Sequence, residues 1–512
     1  MLAALPTDQL TLDHLLEVAP VAWDSGMVLE AVLNLQSLGA LYVTLETGRI
    51  RMLAPLPDAA PNRESEAEYD RGPVAGAPSD GPPQISILSL FAGMGTDRLA
   101  LERILQQEGM RDRMGPSWFV ESDQQLRTAV TRHWAAARAA DPATAPYSPL
   151  CEDVWQLLDP THPACTTLAR SIPTGALLLV VAGSPCQGLT FGGPTRGRAG
   201  VVSTASSPIV AVFAIWHILR IHRPDLEIHV VLENAGSMTP ESRQWILQAL
   251  NIPPALAPTT DAVAWSGFAR RRTFFSTMPI GDAPTLIRPR PPPWDPGWGR
   301  RNAAPMPTMM RARGPLQRAS TCQYMAPHLL YRIDANWNSV PDRCLHAEVR
   351  RLLPPELRQA WNLLAVSPQG REAEQRTEPA AIWLAHHGAQ LGARPPNVTE
   401  RSRASGTYDL CQGLMAQGLT IQETFDAQGN AFDPDAFRAR VQTPLLDWLR
   451  GRPLPHADLM PPLTLRRHYD QMVERVSVSP ELRPHIAVTP GPPWVWNDFC
   501  TSFAAHGTAP PR

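Results

Sequence analysis

Val180-Val181-Ala182-Gly183-Ser184-Pro185-Cys186-Gln187-Gly188 decides the reading of this chain. The apolar run from Ala176 to Ala182 shows no polar alternation and stops at Gly-Ser-Pro-Cys-Gln. Such a run predicts a strand of a parallel sheet buried on both faces. The strand delivers one cysteine to the loop at its carboxyl end, where open α/β sheets keep their ligands. Gly188, Gly192, Gly193, Gly197 and Gly200 follow, with few apolar anchors among them. Taken alone, a Pro-Cys dipeptide is a small buried thiol. The order of the neighbouring stretches changes that.

Upstream, Ile85-Ser86-Ile87-Leu88-Ser89-Leu90-Phe91 is a strand pattern, Ala92-Gly93-Met94-Gly95 a tight turn, and Thr96-Asp97 a cap for the helix carrying Leu99, Leu101, Ile104 and Leu105. A strand, a glycine turn and a helix N-terminus let backbone approach a ligand closely. A second strand, Trp118-Phe119-Val120, ends in Glu121-Ser122-Asp123, and an acid there suits ribose hydroxyls. Glu152-Asp153-Val154 forms another acidic turn. Downstream lie Val231-Leu232-Glu233-Asn234 and Arg270-Arg271-Arg272-Thr273-Phe274-Phe275.

These stretches, in this order, resemble the C5-cytosine DNA methyltransferase family. Phe91-Ala92-Gly93-Met94-Gly95 is similar to its opening FxGxG motif. Ser184-Pro185-Cys186-Gln187 is similar to its Pro-Cys motif, Glu233-Asn234 to its Glu-Asn motif, and Arg270 to Arg272 to its arginine-x-arginine motif. The separations, 47 residues from Cys186 to Glu233 and 37 from Glu233 to Arg270, are similar to those of its de novo branch. The likeness covers about residues 85–278. The 95-residue gap from Phe91 to Cys186 is longer than usual, and Ala235 stands where the family has valine.

The resemblance implies a Rossmann-like class I fold dependent on S-adenosylmethionine, with a mixed, mostly parallel sheet. It implies methyl transfer to C5 of cytosine in DNA, with the base flipped out of the stack. Cys186 as thiolate would add to C6, because C5 is too poor a nucleophile without that addition. Glu233, protonated or sharing a proton, would hydrogen-bond N3 and the exocyclic amine. Arg270 and Arg272, alternating on a strand, would face the pyrimidine together. Phe91, Ala92, Gly93, Met94, Gly95, Glu121, Asp153, Val154, Ser184 and Pro185 would hold the cofactor. Its closing loop is assigned to Gly406 and Thr407 within Arg403–Tyr408, with Trp494 to Asn497 as second candidate. Gln187, Gly188 and Asn234 would touch the substrate. S-adenosylhomocysteine would leave as product, and no metal is expected.

Composition bounds the rest. The chain has 512 residues, enough for two or three domains, and 55 prolines, about twice the usual share. Every basic residue is arginine and the net charge is −2, so a nucleic-acid surface has to be local. One candidate is the segment Arg288–Arg318, where Arg288, Arg290, Arg300, Arg301, Arg311, Arg313 and Arg318 face one acid, Asp295, among prolines and tryptophans. The seven cysteines form no CxxC pair, which argues against zinc ribbons and disulfide frameworks. No apolar run reaches membrane-spanning length and no leader pattern is present. The expected location is nuclear in a eukaryote and cytoplasmic otherwise.

The domain plan that follows starts with a winged-helix-like α/β module at 1–54, two helices and a hairpin at Leu41–Leu45 and Arg49–Leu53. Its second helix, Met27 to Leu35, has no arginine and suits docking to a protein. A linker at 55–84 leads to a catalytic core at 85–278. A target-recognition region at 279–350 and a return to the core at 351–411 precede a helical extension at 412–512. Within that extension Pro444 predicts a break in the helix from Phe437 to Leu449. Three rivals are set aside. An RNA methyltransferase of the tRNA type would carry Cys-Phe-Thr after the arginine motif, absent from 276–350. A catalytically weak regulatory relative would have lost the cysteine, the glutamate or the glycine turn. A cysteine hydrolase needs a histidine base near Cys186.

Overall fold

The computed structural model describes residues 43–46, 49–52 and 82–502, apart from 160, 191–196, 267–269, 280–289, 301–328, 341, 359–382, 385–386, 395 and 456–457. The chain divides into two units, Met1–Pro73 and Val74–Arg512. In the first, β1 (Val43–Glu46) and β2 (Arg49–Met52) pair antiparallel with Glu46 opposite Arg49, the predicted hairpin. The two predicted helices of that unit lie outside the described residues, as does most of the linker.

The second unit is built on a seven-stranded sheet. Its strands are β3 (Ile85–Leu90), β4 (Ser117–Val120), β5 (Tyr147–Cys151), β6 (Leu177–Gly183), β7 (Glu227–Ala235), β8 (Thr259–Asp261) and β9 (Arg271–Ser276). Their spatial order is β5-β4-β3-β6-β7-β9-β8. The first five run parallel, and β9 is antiparallel to both of its neighbours. Helices α1 (Thr96–Gln107), α2 (Gln124–Ala140), α3 (Pro163–Ser171), α4 (Ile209–His222) and α5 (Pro240–Leu250) connect them. The result is a mixed, mostly parallel α/β sheet, as the apolar runs predict.

Alternation within β6 shows why that run is apolar throughout. Leu178, Val180 and Ala182 pack with α4 and α5 on one face. Leu177, Leu179 and Val181 pack with Leu101 and Ile104 of α1 on the other. A strand covered on both sides has no solvent face and no use for polar residues.

A small antiparallel sheet joins β10 (Trp298–Gly299), β11 (Leu330–Arg332) and β12 (Ala393–Arg394). Beside it, α6 (Asp342–Leu352) contributes Val349 to a separate core with Tyr331, Leu353, Leu384 and Ala393. The chain then runs through α7 (Val398–Ala404), α8 (Tyr408–Ala416), α9 (Ile421–Asn430), α10 (Pro434–Leu449), α11 (Pro462–Ser477) and α12 (Pro493–Ser502). Phe437, Val441 and Leu445 of α10 complete the core over α1, while Leu465, Tyr469 and Trp496 of α11 and α12 complete the opposite one. The C-terminal helices are therefore structural layers of the second unit.

The break predicted at Pro444 does not occur; α10 runs through it. A proline inside a helix costs about 3 kcal/mol. Burying Phe437, Val441 and Leu445, each almost fully enclosed, returns about 1.5–3 kcal/mol apiece. Among the described residues no helix is long and apolar enough to cross a membrane.

Beneath the glycine turn lies a buried polar chain. Tyr147 OH donates to Ser89 Oγ at 2.9 Å, and Ser89 Oγ donates to Asp97 Oδ2. Burial pushes the Asp97 carboxyl up from 3.8 to about 6, against the pull of the Ser89 hydrogen bond. The folded state therefore holds this proton more tightly than the unfolded chain. Stability from this group is full below pH 4 and is lost as pH rises through 6, by about 3 kcal/mol. Asp97→Asn should abolish that component: its stability relative to wild type should rise by about this amount between pH 4 and pH 7 in denaturant titrations. A pH-independent difference would show that Asp97 is ordinary.

Candidate active site

Strand register brings the chemistry to one edge. Gly183 at the end of β6 stands opposite Glu233 of β7, and Ala235 of β7 stands opposite Arg272 of β9. Cys186 follows β6 by three residues, in a loop whose next turn closes with Leu189 N and Thr190 N donating to the Cys186 carbonyl. A cleft of about 590 Å³ opens along this edge. From the β6 and β9 side it is lined by Ser184, Pro185, Cys186, Gln187, Arg270 and Arg272. From the β3, β4 and β5 side it is lined by Phe91, Ala92, Gly93, Glu121, Asp153 and Val154. Glu233 sits behind the first group: Arg272 Nε lies 2.6 Å from its Oε1.

The turn after β3 is held under strain. Phe91 has φ 56°, a left-handed conformation that costs a residue with a side chain about 1–2 kcal/mol. Three hydrogen bonds hold the turn: Gly95 N donates to Ala92 O at 2.9 Å within it, Ala92 N to Val120 O at 3.0 Å and Gly93 N to Glu121 Oε2 at 2.8 Å. Gly93, at φ 55°, would meet nothing within 4 Å if it carried a Cβ, so its open side is cleft. Glu121 thus braces the turn and lines the cleft at once. Asp153 caps the short helical turn behind it, its Oδ1 accepting from Trp155 N at 3.1 Å.

Other predicted residues fall elsewhere. Met94 is fully buried with Phe119, Trp134 and Leu410, and Gly95 backs onto the Tyr147 ring, so neither lines the cleft. The turn exposes only its first half, because its second half begins the buried face of α1. Asn234 is buried and faces the Cys186 loop, its Nδ2 donating to Ser184 Oγ at 2.9 Å and its Oδ1 accepting from Ala235 N at 2.8 Å. It ties down the loop and does not line the cleft. Gly188 is also internal: a Cβ there would lie 2.2 Å from Ser203 Cβ.

Arg290 is no phosphate contact. Its guanidinium donates to Asp433 Oδ1 at 2.6 Å, to Asp433 Oδ2 at 2.9 Å and to Ala404 O at 2.7 Å, and it pairs with Asp435. Arg300 donates to Leu329 O at 2.8 Å within the small sheet. Arg288, Arg301, Arg311 and Arg313 lie outside the described residues. Gly406 and Thr407 do not line the cleft: Thr407 is fully buried, bonded to Ser405 Oγ at 2.7 Å, and Gly406 backs onto the Arg290 guanidinium. The remaining wall comes instead from Leu419, Glu423, Asp426, Ala427, Ala431 and Phe432, in α9 and on either side of it. A capping box at Thr420 and Glu423 announces that helix in the sequence. Nothing in its side chains announces the cleft.

Burial pushes the Cys186 thiol above its usual value; Arg272 and Arg270 pull it back, and Glu233 pushes it further. Burial beside Arg272 brings Arg270 down to about 9, still charged at neutral pH. Among the described residues no histidine lines the cleft, which leaves a hydrolase without its base. The arrangement can hold a thiol against a carboxylate and two guanidiniums, beside a nucleoside-sized space. No protein-family model matches the chain, and no curated protein matches it.

Alkylation of Cys186 by iodoacetamide, followed by peptide mass spectrometry, should be slow at pH 7.5 and rise only above the titration range of a free thiol. Arg272→Ala should move the profile to still higher pH. A wild-type midpoint at or below about 8.5 would mean that the two arginines outweigh burial.

Proposed function

We propose that this chain transfers a methyl group from S-adenosylmethionine to C5 of cytosine in DNA, as a member of the family its motifs resemble. One observation carries the proposal: four motifs scattered over 180 residues, from Phe91 to Arg272, converge on a single cleft edge. The residues fit the cofactor. A cleft of about 590 Å³ is within the range that takes a nucleoside-sized ligand. Phe91, Gly93, Glu121, Asp153 and Val154 would hold it, with Phe432 on the wall that sequence motifs miss. S-adenosylmethionine supplies the electrophilic methyl when bound.

This chain's own residues do the rest. Cys186 loses its proton and its sulfur bonds C6 of the flipped base, and the ring electrons move toward N3. Glu233 hydrogen-bonds N3 and the exocyclic amine, which neutralises that charge. Arg272 holds Glu233 in place and, with Arg270, favours the thiolate. After transfer the C5 proton passes to solvent, its bonding electrons restore the C5–C6 double bond, and the C6–sulfur pair leaves with Cys186 as the thiolate. DNA is preferred over RNA because the Cys-Phe-Thr stretch of the tRNA-directed branch is absent. The N-terminal unit is proposed as a protein-docking module.

Duplex DNA containing 5-fluorocytosine should trap wild-type protein as a denaturant-resistant complex in the presence of S-adenosylmethionine. Cys186→Ser should give no such band. Glu233→Gln should lower trapping about 10²–10³-fold, the usual effect of losing one such donor. Trapping by Cys186→Ser, or by RNA alone, would refute the mechanism or the substrate.

Gly93→Trp points an indole into the cleft and should abolish S-adenosylmethionine binding in calorimetry while circular dichroism stays native. Unchanged affinity would remove the turn from the cofactor site.

A further inference from the structure

The segment after α11 carries no motif for chemistry, yet it touches the stretches that stand behind two walls of the cleft. Ala487 N donates to Val202 O at 2.8 Å and Thr204 N to His485 O at 2.9 Å, around an antiparallel bridge between Ser203 and Ile486. Tyr469 of α11 donates its hydroxyl to Ala487 O at 2.8 Å and is also hydrogen-bonded to Ser207. Arg198 pairs with Glu481 at 2.8 Å, but both are more than half exposed and that pair is weak.

The stretch so anchored holds the Cys186 loop. Gly188 N donates to Ser206 Oγ at 2.9 Å, and Gly200 N donates to Gly188 O at 3.0 Å. Ser203 packs on the bare Cα of Gly188. The chain of contacts therefore runs from 485–487 through 202–206 to Gly188, two residues from the thiol. On the second wall, Gly491 backs onto Trp155, where a Cβ would lie 2.2 Å from the indole. Trp155 is the residue whose N–H Asp153 caps.

We infer that residues 485–491 are a positioning strut for the active site, fixing the Cys186 loop and the Asp153 wall against one another. The inference rests on Cys186 being the nucleophile of the proposed reaction. At 485–487 the strut acts through backbone N–H and C=O groups, and at Gly491 through the bare Cα that lets the Trp155 indole approach. It also explains why a C-terminal extension without chemical residues packs on this face of the sheet.

The test is Ala487→Pro, which deletes the N–H that reaches Val202. Ile486, at φ −97° and ψ 130°, already has the extended backbone that precedes proline. Cys186 alkylation at pH 7.5 should rise about fivefold, and its pH profile should move toward that of a free thiol, because the loosened loop exposes the sulfur. Methyl transfer should lose about tenfold or more in kcat, since small misplacements of reacting atoms cost up to about 10²-fold, while KM for S-adenosylmethionine stays within threefold. Tyr469→Phe should shift alkylation the same way by less, and decides the matter alone should Ala487→Pro fail to fold. Wild-type alkylation in the folded variants overturns the strut, whatever happens to Tm or turnover. Should the wild-type protein methylate no nucleic acid, the proposed reaction fails, and alkylation still judges the strut.

Discussion

Gly183 opposite Glu233, and Ala235 opposite Arg272, is the constraint on which the site depends. A parallel ladder cannot slip by one residue here, because every side chain of β6 would change faces. Both faces are filled, by α4 and α5 on one side and by α1 and α10 on the other. The apolar core thus sets the register. The register sets where Glu233 and Arg272, both within their strands, stand relative to the Cys186 loop that leaves β6. Asn234 adds the local tie, holding Ser184 so that the loop leaves β6 in one direction.

Electrostatics at that edge is a contest between burial and charge. Taking a thiol out of water favours its neutral form, and that effect dominates at Cys186. Arg272 and Arg270 oppose it, but Arg272 is shared: its Nε lies 2.6 Å from Glu233. In the proposed reaction a base entering the cleft would compete for Glu233 and so alter how much of the Arg272 charge the sulfur feels. Arg270 is itself held at a cost, its charge disfavoured by burial and by its neighbour though still present at neutral pH. Strained Phe91 and buried Asp97 add to the same pattern, in which stability is given up around the cleft.

The C-terminal part of the chain bears much of that load. Asp433 caps α10 and receives both Arg290 and the Trp265 indole N–H at 3.2 Å, next to Phe432 on the cleft wall. Arg290 thereby ties the start of the arginine-rich segment to the core. Breaking a buried pair of this kind strands a charge and costs about 3–5 kcal/mol.

Some of this was legible in the residues alone. A continuous apolar run specified β6, because a strand with no solvent face needs no polar positions, and the strand pattern Ile85 to Leu90 specified β3. The alternation Arg270-x-Arg272 specified two side chains on one face, and both line the cleft. Local chemistry misled where a partner lay far away in sequence. Arg290 looks like a phosphate contact until Asp433 and Asp435 stand beside it. Met94 and Thr407 look like cofactor contacts until helix packing turns them inward. Pro444 looks like a helix end until buried neighbours on both sides hold the helix together. A capping box marks α9, but no residue pattern marks its place on the cleft or the strut at 485–491. Both depend on segments distant in sequence meeting, and only tertiary packing decides which segments those are.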